Sequence, residues 1–287
     1  MSKLIRGKTC CEVWTKAATF LSEQSGRSAF NLFLHVDSPM LLTLPDRQVF
    51  KIVDGVLRNH SATPVMTIAE TIFPMDFYRY EGVDGVFDQY PDAIEELYSG
   101  RPGEKRWGTY ALRMLRQRGF KGDTFNQLDR TLLKLKRQTT RAAFELVPGR
   151  LAYDEDDDAV EIPIYDPAID GTLPIGTPCL SHVSVSRDKR NGTLYLNATY
   201  RSQRYFEKAL GNLFGLAALQ DFLCRESEHI LGPLVVNATF ATLDTKSDAK
   251  VPWTRDEVLQ TLKKCEQVYL DAAKKVETNS TRAEVTS

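Results

Sequence analysis

Short segments of alternating apolar and polar residues recur along the chain, and this period predicts β-strands with one buried face. These segments are FNLFLHV (residues 30–36), MLLTL (40–44), SHVSVSR (181–187), TLYLNATYR (193–201) and GPLVVNATFATL (232–243). AAFELV (142–147) is a further strand candidate. The residues DKRNG (188–192) separate two of the segments and predict a β-hairpin.

Other segments space their apolar residues three or four positions apart, which predicts amphipathic helices. They are residues 9–24, 49–60, 63–73, 93–98, 124–140, 205–227 and 254–276. Thr63 before Pro64 predicts the start of the third helix, and Thr254 caps the last. The polar residues 277–287 are expected to fray.

The order of these elements is mixed rather than a strict strand–helix alternation, which favours the α+β class. We expect a single domain with a mixed sheet of about six strands and helices on one face. We assign residues 1–250 to this domain and residues 251–287 to a C-terminal helix and polar tail.

Composition narrows the classes of protein. The chain has 287 residues, 42% hydrophobic, enough for a sizeable core. A net charge of -1 argues against a globally basic nucleic-acid binder. No apolar run approaches the roughly 20 residues of a membrane span, and the N-terminus lacks a signal peptide, so we expect a cytoplasmic protein.

Cysteine and acidic residues do not form an evident metal site. The five cysteines lack disulfide or CxxC spacing, and only four histidines are present, so we expect reduced thiols and no zinc. The acidic run YDEDDDAVE (153–161) fits a solvated loop better than a metal site, because its ligands have no constrained spacing.

Cys179 follows Pro178 at the start of one predicted strand, and Arg201-Ser202 end the next. A cysteine reacts as its thiolate, which a neighbouring cation stabilises, and an arginine can also clamp a phosphate with two hydrogen bonds. Cys179 is therefore either a nucleophile or a buried structural thiol.

The order Pro178-Cys179, hairpin, Arg201-Ser202, Leu210-Gly211 resembles the nucleotide-binding half of thymidylate synthases and pyrimidine hydroxymethylases. TIAETIF (67–73) is similar to the family helix that carries a catalytic glutamate, and WGTY (107–110) to its Gly-x-x-Tyr segment. The segment 127–147 resembles the family helix and strand whose junction carries an arginine pair. The resemblance covers roughly residues 60 to 245.

The resemblance implies a catalytic role for each matching residue. The Cys179 thiolate would add to carbon 6 of a pyrimidine and activate carbon 5, Glu70 would organise proton transfers, and Tyr110 would be the active-site tyrosine. The one-carbon donor implied by the family is 5,10-methylenetetrahydrofolate.

The resemblance also implies binding roles. Arg201 and Ser202 would hold the phosphate of a pyrimidine nucleoside monophosphate, and Asn212 lies near the family's base-reading asparagine. Arg141 matches one arginine of the pair that reaches the partner's phosphate site, with Thr140 at the other, which implies a homodimer.

Several family residues are replaced. The family's histidine after the cysteine is Leu180, the glutamine before Arg-Ser is Tyr200, and the aspartate of Arg-Ser-x-Asp is Arg204. The base-reading asparagine is Gly215, and the ribose-binding His-x-Tyr is Thr242-x-Asp244. These changes argue against standard thymidylate synthesis and for an altered specificity. The alternative is a degenerate homologue that binds a nucleotide or serves as a dimeric scaffold or regulator.

The candidate residues also have structural interpretations. Glu70 could be an exposed helical carboxylate, Tyr110 a core-packing residue, and Arg201 a surface ion-pair residue. Arg141 could belong to a solvated basic face. His182 could replace the missing histidine if a shift in the hairpin turns it inward.

Overall fold

The computed structural model of the chain describes residues 2–99, 108–119, 123–136, 159–166, 170–171, 177–246 and 251–285. Thr140, Arg141 and the predicted strand 142–147 lie outside these residues, as does most of the acidic run. No helix in the described residues has the length and apolar character needed to cross a membrane.

The described residues form a mixed sheet of seven strands, with the order β1-β2-β9-β7-β6-β5 and β8 beside β9. Its strands are β1 (Lys3–Gly7), β2 (Ser28–Val36), β5 (Ala159–Pro163), β6 (Leu180–Asp188), β7 (Thr193–Tyr200), β8 (Gln203–Arg204) and β9 (Ile230–Thr242). The strands β3 (Gln117–Arg118) and β4 (Thr124–Phe125) form a separate pair. The pairs β1/β2, β7/β9 and β8/β9 are parallel, while β2/β9, β6/β7 and β5/β6 are antiparallel. The predicted mixed sheet is therefore confirmed, with one strand more than expected.

Eight of the nine described helices lie between strands in the sequence, and the ninth follows the last strand. They are α1 (Cys10–Glu23), α2 (Leu44–Asn59), α3 (Val65–Glu70), α4 (Met75–Asp84), α5 (Tyr90–Ser99), α6 (Tyr110–Leu115), α7 (Gln127–Lys136), α8 (Leu210–Ser227) and α9 (Arg255–Val285). Two π-helical turns, Gly85–Gln89 and Tyr205–Ala209, lead into α5 and α8.

The described helices pack on one face of the sheet. Helix α1 contacts β1 and β2, α8 contacts β7 and β9, and the two helices contact each other. Helices α2, α3 and α9 form an outer layer on α1 and α8. Alternate residues of the central strands, such as Leu34, Leu196 and Val236, are fully buried beneath the helices. The opposite face carries half-buried or exposed side chains, including Phe33 and Val235.

Helix caps explain two wrong predictions. The expected strand 40–44 is a loop that leads into α2, because Thr43 and Asp46 form a capping box: the Thr43 amide donates to Asp46 Oδ2 over 2.7 Å. Thr63 does not cap α3. The amide of Val65 donates instead to Asp54 Oδ1 over 2.8 Å, so a carboxylate from α2 caps this helix.

The C-terminal helix differs from prediction at its end only. Glu257 donates its amide to Thr254 Oγ1 over 3.3 Å, which confirms the predicted cap. The residues expected to fray continue the helix to Val285, because this segment contains no glycine or proline to stop it. The other end of α9 packs on α1 and α2, where Cys265 is fully buried.

Candidate functional site

Two glycines of α8 set the position of α3. A Cβ atom added to Gly211 would lie 2.6 Å from Cβ of Ile68, and one added to Gly215 would lie 2.6 Å from the carbonyl oxygen of Ala69. Only residues without a side chain allow this approach of the helices. Position 215, where the resembling family has a base-reading asparagine, therefore has no room for any side chain.

Glu70 ends α3 and is half-buried. Burial, reinforced by the negative charge of Asp76, raises the pKa of Glu70 from 4.5 to about 7. Its Oε2 accepts the amide hydrogen of Asp76 over 3.5 Å. Glu70 is therefore not an ordinary exposed carboxylate, because it can both take up and release a proton near neutral pH.

The N-terminus of α6 lies beside the C-terminal end of α3. The amide of Ala111 donates to the carbonyl oxygen of Thr71 over 2.9 Å. Thr109 caps α6, its Oγ1 accepting the amide hydrogen of Leu112 over 3.0 Å and lying 2.8 Å from Tyr90 Oη. These bonds fix Tyr110 next to the segment that follows Glu70.

Tyr110 joins α6 to the start of β6. Its hydroxyl accepts hydrogen bonds from the amides of Cys179, over 3.3 Å, and Leu180, over 3.5 Å. Burial is the main cause that raises the pKa of Tyr110, so the phenol stays protonated. The Tyr110 side chain thus has a polar role at the cysteine in addition to packing.

Cys179 is the half-buried cysteine, whereas the other four are buried. Burial raises the pKa of the Cys179 thiol, and the charges of Arg201 and Arg204 oppose this effect without overcoming it. The expected cationic neighbour is therefore present, but the thiol is protonated at neutral pH in the structure described here.

Arg201 holds the turn that carries Cys179. Its Nε donates to the carbonyl oxygen of Pro178 over 3.1 Å, and its Nη2 donates to the carbonyl oxygen of Thr177 over 3.2 Å and to Thr177 Oγ1. The Arg201 amide donates to the carbonyl oxygen of Cys179 over 3.0 Å. The Arg201 guanidinium therefore has two roles: it donates hydrogen bonds to the backbone of Thr177 and Pro178, and its charge acts on the Cys179 thiol.

Ser202 and Asn212 are less closely tied to this group. Ser202 is half-buried and directly follows Arg201. Asn212 lies in the first turn of α8 and is 6% exposed. Within the described residues, no hydrogen bond joins Asn212 to Cys179, Tyr110 or Arg201.

Residues after Arg201 add charge that the sequence analysis did not assign to the site. Arg204 Nη1 lies 3.0 Å from Glu207 Oε2, and Lys208 Nζ lies 2.9 Å from Glu207 Oε1. The π-helical turn Tyr205–Ala209 follows Arg204 directly, and such turns occur frequently at functional sites. An arginine at position 204, where the resembling family has an aspartate, was the available signal for this added charge.

Tyr200 is a second residue that the sequence analysis did not assign to the site. It is the cross-strand partner of Leu180, and its buried hydroxyl has no hydrogen-bond partner among the residues that the structure describes. Burial is the main cause that raises the pKa of Tyr200, and the negative charges that Tyr110 and Cys179 would carry once ionised raise it further. An uncharged hydroxyl therefore lies within electrostatic range of the thiol.

Asp244 stands where the family has the tyrosine of His-x-Tyr, but it is fully buried. Its Oδ1 accepts the amide hydrogens of Phe206, over 2.9 Å, and Glu207, over 3.4 Å. Burial raises its pKa from 3.8 to about 6. Asp244 caps the π-helical turn, so its carboxylate has a structural partner in place of a ribose.

The possible replacement of the family histidine by His182 is wrong. A register irregularity between Leu180 and His182 breaks the strand alternation. Leu180 is therefore buried, while the His182 side chain is 38% exposed and contacts Glu161 on the uncovered sheet face.

The sequence matches no protein-family model, and a search of curated proteins finds no match. Within the described residues, no group of three or more His, Cys, Asp or Glu side chains could hold a metal ion. The side chains of the site that can take part in chemistry include Cys179, Tyr110, Glu70, Arg201 and Arg204.

Proposed function

We propose that the protein is a divergent thymidylate-synthase-like transferase that adds a one-carbon group to carbon 5 of a pyrimidine nucleotide through Cys179. The observation that carries this proposal is the connection through Tyr110: its hydroxyl binds the Cys179 amide, and its neighbour Ala111 binds Thr71, next to Glu70. A thiol whose ionisation is favoured by the charges of Arg201 and Arg204 is thereby linked to a carboxyl group with a pKa of about 7.

The reaction would begin with loss of the thiol proton from Cys179. The thiolate adds to carbon 6 of the ring, the carbon 5–carbon 6 π electrons move onto the carbon 4 oxygen of a uracil or N3 of a cytosine, and carbon 5 becomes nucleophilic. Carbon 5 then bonds the one-carbon unit and loses its proton, and the carrier of this unit would leave with the electron pair of its bond. Addition of water or of a hydride in place of the carrier would give a hydroxymethyl or methyl group, after which the sulfur–carbon 6 bond breaks and returns its electron pair to sulfur. Glu70 would relay protons to and from the ring carbonyl, since its pKa of about 7 suits both directions.

Arg201 and Ser202 would bind the phosphate of a nucleoside monophosphate, with Arg141 of a second copy adding charge. Asn212 would contribute to nucleotide binding from the first turn of α8. The family implies 5,10-methylenetetrahydrofolate as the donor of the one-carbon unit. When bound, it would supply the one-carbon unit that carbon 5 attacks.

A second copy would cover the open sheet face. Phe30 and Leu4 are 66% and 63% exposed, and alternate residues of the central strands are half-buried on this side. A large sheet face with apolar residues is usually buried against another layer. We expect Val235→Asp, at the centre of this face, to convert a dimer to a monomer in sedimentation experiments, while Leu97→Asp on α5 leaves the dimer intact. A wild-type protein that sediments as a monomer would contradict the dimer.

The covalent intermediate gives the direct test of the enzyme. In a 5-fluoropyrimidine nucleotide, fluorine takes the place of the carbon 5 hydrogen and cannot leave as a cation in the way that a proton does. The covalent complex with Cys179 should therefore accumulate when the folate donor is present. We expect intact mass spectrometry to show one adduct with wild-type protein and none with Cys179→Ala. No adduct with any 5-fluoropyrimidine nucleotide would contradict the transferase.

The raised pKa of Cys179 favours a second candidate, a nucleotide-binding homologue without catalysis. This candidate predicts thermal stabilisation by a pyrimidine nucleotide that Cys179→Ala leaves unchanged, together with no adduct. Absence of stabilisation by every nucleotide tested would contradict it. We assign either function to the cytoplasm, where a free thiol stays reduced.

A further inference from the structure

Thr177 accepts two hydrogen bonds from one nitrogen of Arg201. Nη2 of Arg201 donates to the Thr177 carbonyl oxygen over 3.2 Å and also to Thr177 Oγ1. Thr177 is 8% exposed, so water competes little for its oxygen atoms. Hydrogen bonds from a charged donor are stronger than those between neutral groups, and a site with little water strengthens them further. The Thr177 side chain therefore helps to fix the guanidinium in one position.

This contact lies directly before the cysteine in the sequence. Pro178 follows Thr177, and its carbonyl oxygen accepts a hydrogen bond from Arg201 Nε over 3.1 Å. Cys179 comes next, and its carbonyl oxygen accepts the Arg201 amide hydrogen over 3.0 Å. Arg201 thus binds three consecutive residues of the turn Thr177–Cys179, and the last of them carries the thiol. A guanidinium held by the first two residues is held beside the third.

The guanidinium of Arg201 uses only part of its donor set on this turn. Nε and Nη2 donate to the turn, whereas Nη1 has no hydrogen-bond partner in the described part of the chain. The Tyr165 ring lies 5.9 Å from Arg201 Cζ and adds a favourable contact with the cation. Because a guanidinium has five N–H donors, Nη1 can still contact an anionic ligand such as a phosphate while the turn keeps the other two nitrogens.

The ionisable side chains that act on the Cys179 thiol include two cations and two phenols. The charges of Arg201 and Arg204 favour the thiolate. Burial raises the pKa of Tyr110 and that of Tyr200, so both phenols stay protonated and uncharged. Among the described contacts, Arg204 makes no hydrogen bond to the turn. Arg201 is therefore the cation whose position the turn controls.

We propose that Thr177 is a positioning residue: its hydroxyl holds the Arg201 guanidinium on the turn and so keeps a positive charge beside the Cys179 thiol. A cation next to a cysteine favours the thiolate, which is the reactive form. The inference rests on the proposed function, in which this thiolate is the nucleophile. Loss of the hydroxyl should let the guanidinium move away from the turn and leave a smaller fraction of Cys179 ionised.

The test measures how fast iodoacetamide alkylates Cys179 in the full chain. Thr177→Val removes the hydroxyl and keeps the shape of the side chain, whereas Thr177→Ser keeps the hydroxyl. Mass spectrometry gives the rate at Cys179 between about pH 7 and about pH 10. We expect Thr177→Val to raise the apparent pKa of Cys179 by about 0.5 and to slow alkylation at about pH 8 roughly threefold, with Thr177→Ser close to wild type. Thr177→Ala takes the place of Thr177→Val if the valine variant does not fold.

A double-mutant cycle shows whether the effect passes through Arg201. Arg201→Ala removes the cation, so addition of Thr177→Val to this variant should not slow alkylation further. Thr261→Val is the matched control. Thr261 is a buried threonine of the outer helix α9, and its hydroxyl donates to the carbonyl oxygen of Glu257 over 2.7 Å. This control should keep the wild-type rate and pH profile.

Folded Thr177→Val that reacts with the rate and pH profile of wild type would overturn the inference. A further slowing by Thr177→Val in the Arg201→Ala background would also overturn it, because Thr177 would then act without Arg201. Neither result bears on the transferase, which the 5-fluoropyrimidine adduct tests separately. Slower alkylation of Thr177→Val together with no adduct in wild type would support the role of Thr177 and contradict the transferase.

Discussion

Gly215 of α8 lies directly against Ala69 of α3, so closely that a methyl group at position 215 would meet the Ala69 carbonyl oxygen at 2.6 Å. The neighbour is backbone, which cannot turn aside as a flexible side chain would. This contact fixes the end of α3 and therefore the position of Glu70.

Gly215→Ala should push α3 away from α8 and destabilise the protein by about 1–3 kcal/mol, despite the better helix propensity of alanine. Gly55→Ala in α2 is the control, because no atom lies within 4 Å of the added methyl group. It should stabilise the protein by about 0.5–1 kcal/mol. Urea unfolding measures both changes. A Gly215→Ala variant at least as stable as wild type would show that the helices are not in contact here.

Ionisation of Glu70 should lower stability as the pH rises. Its pKa is raised from 4.5 to about 7 in the folded protein. Between these pH values the carboxyl group ionises in the unfolded chain but not in the folded one, which lowers the free energy of the unfolded state relative to the folded state. Glu70→Gln cannot ionise. Its melting temperature relative to wild type should therefore increase between about pH 4.5 and pH 7.

The control for this measurement is Glu95→Gln, which removes one carboxylate from the exposed surface of α5. For each variant, the melting temperature is compared with that of wild type across the pH range. If the two differences from wild type change with pH in the same way, burial does not raise the pKa of Glu70.

Cys179 should be the cysteine that iodoacetamide modifies in the native protein, since the other four are buried. Its raised pKa predicts slower alkylation at pH 7 than a free thiol shows, with a rate that increases as the solution becomes alkaline. Arg204→Ala should slow the reaction further, because it removes a charge that favours the thiolate. Mass spectrometry after timed quenching gives these rates, with Cys179→Ser as the blank. A fast alkylation at pH 7 that does not become faster at higher pH would mean that the charges of the arginines lower the pKa of Cys179 more than burial raises it.

The sheet was largely predictable because strand alternation is a local signal. The predicted segments at 30–36, 181–187, 193–201 and 232–243 correspond to β2, β6, β7 and β9. The segment 40–44 failed for an equally local reason, a capping box competing with an apolar run. The cap of α3 could not be read locally, because Asp54 reaches it from another helix.

The order of Glu70, Tyr110, Cys179 and Arg201 in the sequence predicts that they lie together. In the structure α6 connects the end of α3 to Cys179, and the Arg201 amide donates to the Cys179 carbonyl oxygen. The pKa shifts of Cys179 and Glu70 were not predictable, because their burial depends on packing between distant segments. Arg201 was expected to activate the thiol, but its hydrogen bonds to Thr177 and Pro178 are a property of the folded turn.

Tyr200→Phe tests whether a buried hydroxyl is kept for a ligand. The Tyr200 hydroxyl has no hydrogen-bond partner in the described part of the chain, so its removal should leave the free protein at least as stable as wild type. If a nucleotide supplies the missing partner, the same variant should bind that nucleotide several-fold more weakly. Calorimetric titration and thermal unfolding of one preparation give both numbers. Lower stability with unchanged nucleotide affinity would assign the hydroxyl to the fold.

Asp244 allows a test of its role as the cap of the π-helical turn Tyr205–Ala209. Asp244→Asn keeps an oxygen acceptor for the amides of Phe206 and Glu207 and cannot ionise, whereas Asp244→Leu loses both bonds. The leucine variant should be less stable by about 1–3 kcal/mol, because two buried amide hydrogens lose their acceptor.

The stability of Asp244→Asn relative to wild type should increase as the pH rises. The pKa of Asp244 is raised from 3.8 to about 6 in the fold, so wild-type stability falls as the pH rises through this range, and Asp244→Asn should gain relative to it. Urea unfolding at about pH 4 and pH 7 separates the two effects. Equal losses of stability in both variants would show that the negative charge itself is required for the cap.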